Sequence, residues 1–235
     1  RDSVENARIG TSFSCSEVIP FSYREEDIKA AEKVDILLNQ LFLSPLNGEG
    51  YPVSDDFPFL KKLELETRSW RVYERMKFDF DFIGLQNYTR FVIKNFALLP
   101  IIHALPVKPK KLTKEPLTQM GWEVYPEGIY NIIKKFGAYK NIKKIIITEN
   151  GAAFPDENKN GEINDIKRTQ FIKDYLKQVL KAKREGVNVD GYFIWSFMDN
   201  FEWAEGFRPR FGIVGVDFKT QERTIKASGK WFSEF

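Results

Sequence analysis

The residues best suited to chemistry stand where predicted strands end, and Glu149 is the first of them. It follows three isoleucines that begin after Lys144, and such β-branched residues are typical of a strand buried on both faces. The turn-forming pair Asn150-Gly151 comes next. An ionised group beside an apolar strand is costly unless it is paired or used. Glu149 is therefore either a solvated strand end or a functional acid, and this stretch alone leaves both interpretations open.

A second cluster of acids and aromatics follows the last predicted strand. It reads Trp195-Ser-Phe-Met-Asp-Asn-Phe-Glu-Trp203, so Glu202 lies beside the second of two tryptophans. A sugar presents hydroxyl edges to a carboxylate and apolar ring faces to an indole. Glu202 could instead be a surface acid beside a core aromatic. Because Trp195, Glu202 and Trp203 follow one strand end together, sugar binding is the favoured interpretation.

Residues that would support other chemistry are scarce. His103 is the only histidine and Cys15 the only cysteine, so a multi-histidine metal site and a cysteine metal cluster are both excluded. His103 lies in an apolar stretch, which favours a structural role, and Cys15 is expected to be an inert buried thiol. Acid–base chemistry must then fall to carboxylates, and neither a cofactor nor a metal is expected.

One stretch imitates a calcium-binding loop. Residues 156–163 carry Asp, Asn, Asn and Gly in the order that such a loop requires. The twelfth position needs a bidentate glutamate, but here it is Lys167. Because a lysine at that position rejects calcium, the stretch is predicted to be a solvated turn.

Length and composition restrict the class of protein. The chain has 235 residues, 43% of them hydrophobic, which is enough for a sizeable core, and we predict a single domain over residues 1–235. The net charge of +3 is spread out, which argues against nucleic-acid binding, and no apolar run approaches the roughly 18 residues of a membrane span. No glycine-rich phosphate loop follows a strand, which argues against a nucleotide-binding domain. A single cysteine and no visible signal peptide predict a cytoplasmic protein, although the start at Arg1 reads like the middle of a longer chain.

The elements that must position the candidate residues alternate between strand and helix. Ser22 and Glu25 have the spacing of a capping box, while Pro126 and Asp165 suit helix starts. Residues 57–76 suggest a broken helix and residues 100–115 an irregular surface excursion. Four strand–helix units indicate a mainly parallel sheet with helices outside, which is half of an eightfold barrel. The predicted strands are residues 7–14, 78–87, 144–149 and 189–197. The first predicted helix begins at the Ser22 capping box and has an apolar stripe over residues 28–41, and the others are residues 126–136, 165–186 and 225–232.

Four long motifs carry a resemblance to a known family. The runs 81–90, 147–151, 195–206 and 210–217 closely resemble the β-glucosidases of glycoside hydrolase family 1. The similarity extends over nearly the whole chain, including residues 25–52, which are similar to the segment after the family's fifth strand. The resemblance implies a (β/α)8 TIM barrel, of which this chain supplies about strands five to eight with their helices. It also implies retaining hydrolysis of β-glycosides.

The resemblance also assigns roles to individual residues. Glu149 resembles the catalytic nucleophile, and Tyr88 the tyrosine that orients it. Glu202 resembles the carboxylate that grips two sugar hydroxyls. The remaining residues carried over to the substrate site are Trp203 beside Glu202, Trp195 as the platform under the sugar ring, Trp122 at the entrance, Phe211 in the wall, and Gln86.

Two departures from the family pattern qualify these roles. Gln86 stands where the family usually has asparagine, so the longer amide puts its contact in question. The family's general acid/base lies in an Asn-Glu-Pro segment, and no such run occurs in this sequence. Glu202 itself would repel a phosphate dianion, so its presence favours a neutral sugar over a 6-phosphorylated one.

We therefore expect a β-glucosidase that lacks its general acid in this chain. The alternative is a catalytically inactive half barrel that binds sugar or serves a structural role. An isolated half barrel leaves two sheet edges unpaired, so its partners would be the missing N-terminal half or further copies of itself, besides a β-glucoside or oligosaccharide substrate. No nucleic-acid or membrane partner is expected.

Overall fold

A four-stranded parallel sheet forms the centre of the computed structural model, which describes residues 5–52, 55, 57–67 and 78–235. The strands in chain order are β1 (Gly10–Ser14), β2 (Val18–Pro20), β3 (Phe82–Gln86), β4 (Phe91–Asn95), β5 (Ala104–Pro106), β6 (Ile145–Asn150), β7 (Asn158–Lys159), β8 (Glu162–Ile163), β9 (Val189–Ile194), β10 (Val214–Val216) and β11 (Arg223–Ile225). The central sheet has the order β1-β3-β6-β9, with parallel pairing throughout. This succession of parallel neighbours is one half of a (β/α)8 barrel, as predicted.

Six α-helices lie in the described part of the chain. They are α1 (Glu25–Asp35), which continues into a π-helical segment (Ile36–Gln40), α2 (Leu43–Leu46), α3 (Pro58–Thr67), α4 (Glu127–Gly137), α5 (Ile166–Arg184) and α6 (Ala227–Glu234), with 3₁₀ turns at Pro109–Lys111 and Trp203–Glu205. Helix α4 turns the side chains of Ile129, Ile132, Ile133 and Phe136 inward, and each is at most 1% exposed. They join the core formed by α5 and the sheet, so the helix predicted over residues 126–136 has a buried apolar face.

The structure corrects three local predictions about element boundaries. The capping box is wrong, because α1 begins after Arg24 without a side-chain cap, and the Ser22 hydroxyl instead donates to Asp27 at 2.5 Å. Strand β9 ends at Ile194 rather than at residue 197. The last helix begins at Ala227, because the residues just before it pair as β11 with β10.

Two further stretches differ from their predicted form. The broken helix expected over residues 57–76 is a single helix, α3, as far as it is described, and residues 68–76 lie outside the described part of the chain. The excursion over residues 100–115 contains β5, which completes a second sheet of order β2-β4-β5. Its strands of three to five residues are too short for a two-residue period to stand out. His103 lies exposed in the turn before β5, with Nδ1 3.0 Å from the Ala97 carbonyl oxygen, so a structural role fits.

The calcium-like stretch is a β-hairpin formed by β7 and β8. Asn160 and Gly161 have φ of 54° and 85°, which is the left-handed pair that a two-residue hairpin turn favours. The predicted turn is confirmed at its tip, but the Asp156 side chain at its base is only 8% exposed and is ion-paired rather than solvated. Among the described residues, no group of three or more His, Cys, Asp and Glu side chains is placed to hold a metal ion. No helix in that same part of the chain is long and apolar enough to cross a membrane.

Candidate active site

Glu149 lies near the carboxyl end of β6, and each of its carboxylate oxygens accepts one hydrogen bond. The Tyr88 hydroxyl donates to Oε2 at 2.6 Å, and the Gln86 amide donates to Oε1 at 3.0 Å. Both donors come from β3 and the residues directly after it, so neighbouring strand ends supply the carboxylate and its partners. The longer amide of Gln86 therefore reaches the carboxylate. Such an arrangement fixes the orientation of Glu149 while leaving it half-exposed.

The Tyr88 phenol is a donor that stays protonated. Burial, the hydrogen bond to the Glu149 carboxylate and the negative charges of Glu149 and Glu202 all raise the pKa of Tyr88. A phenol whose pKa is raised in this way keeps its proton over the whole physiological range. Tyr88 can therefore orient the carboxylate but is poorly suited to act as a proton acceptor.

Glu202 and Trp195 form a second hydrogen-bonded pair near Glu149. The Trp195 indole Nε1 donates to Glu202 Oε1 at 3.1 Å. Burial and then the charge of Glu149 raise the pKa of Glu202, whereas the indole hydrogen bond opposes them. The two carboxylates are therefore close enough to repel each other, and Trp195 holds one oxygen of Glu202.

Aromatic rings form the wall beside these acids. The ring of Tyr88 lies 5.3 Å from Trp122 and 6.3 Å from Phe211, and the last two rings are 6.2 Å apart. Phe211 is only 2% exposed, so it supports the other two rings from behind, whereas Trp203 is 85% exposed on the loop after β9. Gln86, Glu149 and Trp195 thus lie at the carboxyl ends of strands and the other predicted residues on the segments that follow, but Trp203 stands away from the packed wall.

An ion pair that was not predicted from the sequence joins the segment that carries Tyr88 to the segment that carries Trp122. The Arg90 guanidinium donates to both carboxylate oxygens of Glu123, at 2.9 and 3.0 Å, and lies 3.6 Å above the ring of Tyr125. Arg90 follows Tyr88 by two positions and Glu123 follows Trp122 directly. The only sequence signal was this adjacency, because nothing local indicates that the two charges meet.

A buried charge network supports the loop between Trp195 and Glu202 from below. Asp199 accepts hydrogen bonds from the Gly212 amide and the Lys226 ammonium, both at 2.9 Å. Lys226 also pairs with Asp156, which Arg168 contacts in turn. Burial and the nearby Arg168 charge lower the pKa of Lys226. Asp165, predicted to cap a helix, precedes α5 without a side-chain cap and pairs with Arg168 instead.

The comparisons with known proteins agree with this arrangement. The model of the family described as glycosyl hydrolase family 1 matches residues 1–235. The chain is 39% identical over 243 residues to β-glucosidase A of Thermotoga maritima, covering 99% of this chain and 51% of the relative. It is also 39% identical over 240 residues to the 1,4-β-D-glucan glucohydrolase of Thermotoga neapolitana, again covering 99% of this chain and 51% of the relative.

Solved structures agree in fold. The structure of a family 1 β-glucosidase from Thermotoga maritima superposes with a TM-score of 0.89 at 38% identity, covering 99% of this chain and 51% of that one. The chain therefore spans about half the length of the curated relatives it matches.

Proposed function

Because the chain belongs to glycosyl hydrolase family 1, we propose that it is the C-terminal half of a retaining β-glucosidase in which Glu149 is the nucleophile. The observation that carries this proposal is the Glu149 carboxylate, held by one donor on each oxygen at the end of a barrel strand. The carboxyl ends of barrel strands are where enzymes of this architecture do their chemistry. The names of the curated relatives support glucosides as the substrate class.

In the proposed reaction, a Glu149 oxygen attacks the anomeric carbon of the sugar. The bond to the aglycone oxygen breaks as a glycosyl-enzyme ester forms, and that oxygen leaves with a proton from a general acid. Water then attacks the same carbon and gives a proton back to the group that acted as the acid, which releases the sugar with its original anomeric configuration and frees the Glu149 carboxylate. The acid must lie about 5–5.5 Å from the nucleophile, and we place it on a segment outside this sequence.

The remaining site residues would bind the glucose unit. The Glu202 oxygen that Trp195 does not occupy can accept sugar hydroxyls, and the rings of Trp195 and Trp122 offer apolar faces for the sugar and for the aglycone attached to it. Glu202 disfavours a phosphorylated sugar, because two anionic groups would meet in a half-buried site. We therefore propose a neutral β-glucoside as the substrate.

We also propose that residues 1–235 form one domain that needs a partner to complete the barrel. Strands β1 and β9 are the outer strands of the central sheet, and each leaves one edge without a partner strand in the described part of the chain. Phe193 on β9 and Phe197 just after it are 60% and 66% exposed. A complementary half barrel, or a second copy of this one, would cover both edges and these rings.

The test is hydrolysis of 2,4-dinitrophenyl β-D-glucoside by the full chain. This leaving group departs without a proton, so the general acid, which typically contributes about 10²–10⁴-fold, is not needed. We expect slow release of dinitrophenolate that is lost in Glu149→Gln, and no preference for the 6-phosphorylated analogue. If the wild-type chain and Glu149→Gln release dinitrophenolate at the same rate, Glu149 has no role in the reaction and an inactive half barrel is favoured.

A further inference from the structure

Strand β6 carries one extra residue just before Glu149. Ile147 pairs with Leu85, but the next pair along β3 joins Gln86 to Glu149, so Thr148 has no counterpart. The other neighbour agrees, because β6 advances three residues from Ile147 to Asn150 while β9 advances two. This is a β-bulge, a feature that re-aims side chains beside functional sites.

The bulge decides which face of the sheet Glu149 occupies. Thr148 faces the side away from the helices, where its hydroxyl lies 2.8 Å from that of Ser12. Successive residues of a regular strand face opposite sides, so Glu149 would then point into the core. Instead, its carboxylate meets the side chain of Gln86, which shares the face of Gly84 and Thr148.

Asn150 takes the opposite face and is fully buried at 0% exposure. Its Nδ2 donates to the Asn87 carbonyl oxygen at 2.7 Å, and its Oδ1 accepts from the Tyr192 hydroxyl at 2.6 Å. These two bonds, which we call the Asn150 bridge, join the end of β6 to both neighbouring strands. They lie at the point where the bulge has interrupted the regular ladder.

Backbone hydrogen bonds on either side of β6 reinforce the Asn150 bridge. The Asn87 amide donates to the Glu149 carbonyl at 3.0 Å, and the Trp195 amide donates to the Asn150 carbonyl at 2.9 Å. Asn87 directly precedes Tyr88, which donates to the nucleophile. The same few bonds therefore connect Glu149, Tyr88 and Trp195.

We propose that Asn150 and Tyr192 are positioning residues, which hold the bulge open and so aim the Glu149 carboxylate at the substrate side of the sheet. This inference rests on the proposed role of Glu149, but it concerns residues that do not touch a substrate. Asn150 suits the task because one buried amide supplies a donor to β3 and an acceptor to β9. Losing either partner would leave a buried polar group unpaired.

The experiment compares the full chain with Tyr192→Phe, Asn150→Ala and the double variant. The first readout is the ¹³C resonance of the Glu149 carboxyl group in protein labelled on glutamate, assigned by its loss in Glu149→Gln. The second is the rate of covalent labelling by a 2-deoxy-2-fluoroglucoside with a dinitrophenolate leaving group. Ile133→Val, in the same core but on α4, serves as the control for a small loss of stability.

We expect the Glu149 resonance to move in all three bridge variants and to stay in place in Ile133→Val. Labelling should slow by about 10- to 100-fold in Asn150→Ala, the scale of a roughly 1 Å misplacement. The double variant should label no more slowly than Asn150→Ala, because Tyr192 acts through Asn150.

The outcomes separate this inference from the proposed function. A Glu149 resonance that is unmoved in the bridge variants would overturn the inference, whatever the labelling rate. A wild-type chain that takes no label, but whose resonance moves in the variants, would overturn the proposed function and leave the positioning role standing. Additive effects of Tyr192→Phe and Asn150→Ala would overturn the proposed path through Asn150.

Discussion

At the scale of single residues, the site depends on the hydrogen bond between Tyr88 and Glu149. It is a short bond from a phenol to a carboxylate, at 2.6 Å, in a half-buried place where water competes poorly. A hydrogen bond to a charged group contributes more than one between neutral groups. The same bond should therefore matter for the orientation of the proposed nucleophile.

Tyr88→Phe should slow covalent labelling of Glu149 by roughly 10- to 150-fold, which corresponds to the roughly 1.5–3 kcal/mol of a hydrogen bond to a charged group. The rate of mass increase with the fluoroglucoside measures it. Tyr130→Phe is the matched control, because it also loses a 2.6 Å bond to a carboxylate, that of Glu185, but on the exposed surface. Equal rates for the two variants would contradict an orienting role for Tyr88.

The pKa of Glu202 offers a second test at this scale. Because the negative charge of Glu149 raises that pKa, Glu149→Gln should lower it, while burial keeps it above its ordinary value. Trp195→Phe should raise it further, because the indole hydrogen bond favours the carboxylate. A ¹³C NMR titration of the Glu202 carboxyl measures both shifts. If the pKa of Glu202 is the same in Glu149→Gln as in the wild-type chain, the two acids do not share one site.

The raised pKa of Glu202 also predicts how sugar binding depends on pH. Glu202 accepts sugar hydroxyls as a carboxylate, so its binding role should be lost as the pH falls through its raised pKa. The loss should begin at a higher pH than for an ordinary glutamate.

Some of these residues could be identified from the sequence and others could not. Glu149, Tyr88 and Glu202 were named because the motifs that carry them are long and ordered. The reach of Gln86 was open, since a bulge in another strand decides where its acceptor lies. Asn150 was predicted to start a turn but is the last residue of β6, and its bond with Tyr192 was missed because a contact across strands has no local signal.

At the scale of elements, the approach of β6 to the chain after β9 requires a residue without a side chain. A Cβ atom on Gly151 would lie 1.7 Å from the Trp195 carbonyl oxygen and 2.8 Å from its carbonyl carbon. Both are backbone atoms, so they cannot turn away as a flexible side chain would. Gly151 thus permits the contact that brings Trp195 to the site.

Gly151→Ala should lower the free energy of unfolding by at least about 1–3 kcal/mol, the usual cost of overpacking. Urea denaturation measures this. Gly191→Ala on β9 is the matched control, because its new Cβ would lie at an ordinary 3.4 Å from the nearest atom, on Ile146. Similar losses in the two variants would show that the close approach at Gly151 has no special cost.

The charge network under the loop after β9 is the second element-scale feature. Lys226→Met should lower the free energy of unfolding by about 3–5 kcal/mol, because Asp199 and Asp156 would each lose a buried cationic partner. Urea denaturation again measures the change. Lys144→Met is the control: it loses a pair with the partly exposed Asp190, which should cost at most about 1 kcal/mol.

Elements were predicted well where the local pattern was clear. Apolar residues at helical spacing predicted α5, and a continuous run of isoleucines predicted β6. The second sheet was missed, since β2 and β5 have three residues each and depend on partners far along the chain. The Asp156 contacts were also missed, because Lys226 is 70 positions away.

At the scale of the whole molecule, the half barrel brings together on one chain the groups that surround the proposed nucleophile. Glu149, its two donors and the Trp195–Glu202 pair all come from β3, β6, β9 and the segments that follow them. A nucleophile held in this way can react before a general acid is supplied, provided that the leaving group needs no proton. The alternation of strands and helices predicted this architecture, whereas the second sheet, several element boundaries and the long-range contacts needed the structure.

The most direct test of the nucleophile's role is the intact mass of the chain after incubation with 2,4-dinitrophenyl 2-deoxy-2-fluoro-β-D-glucoside. The electron-withdrawing fluorine slows the second step, so that the glycosyl-enzyme accumulates. We expect one added fluoroglucosyl unit, mapped by peptide sequencing to Glu149 and absent in Glu149→Gln. A folded chain that takes up no label, or that takes it up on another residue, would contradict the assignment of Glu149 as the nucleophile.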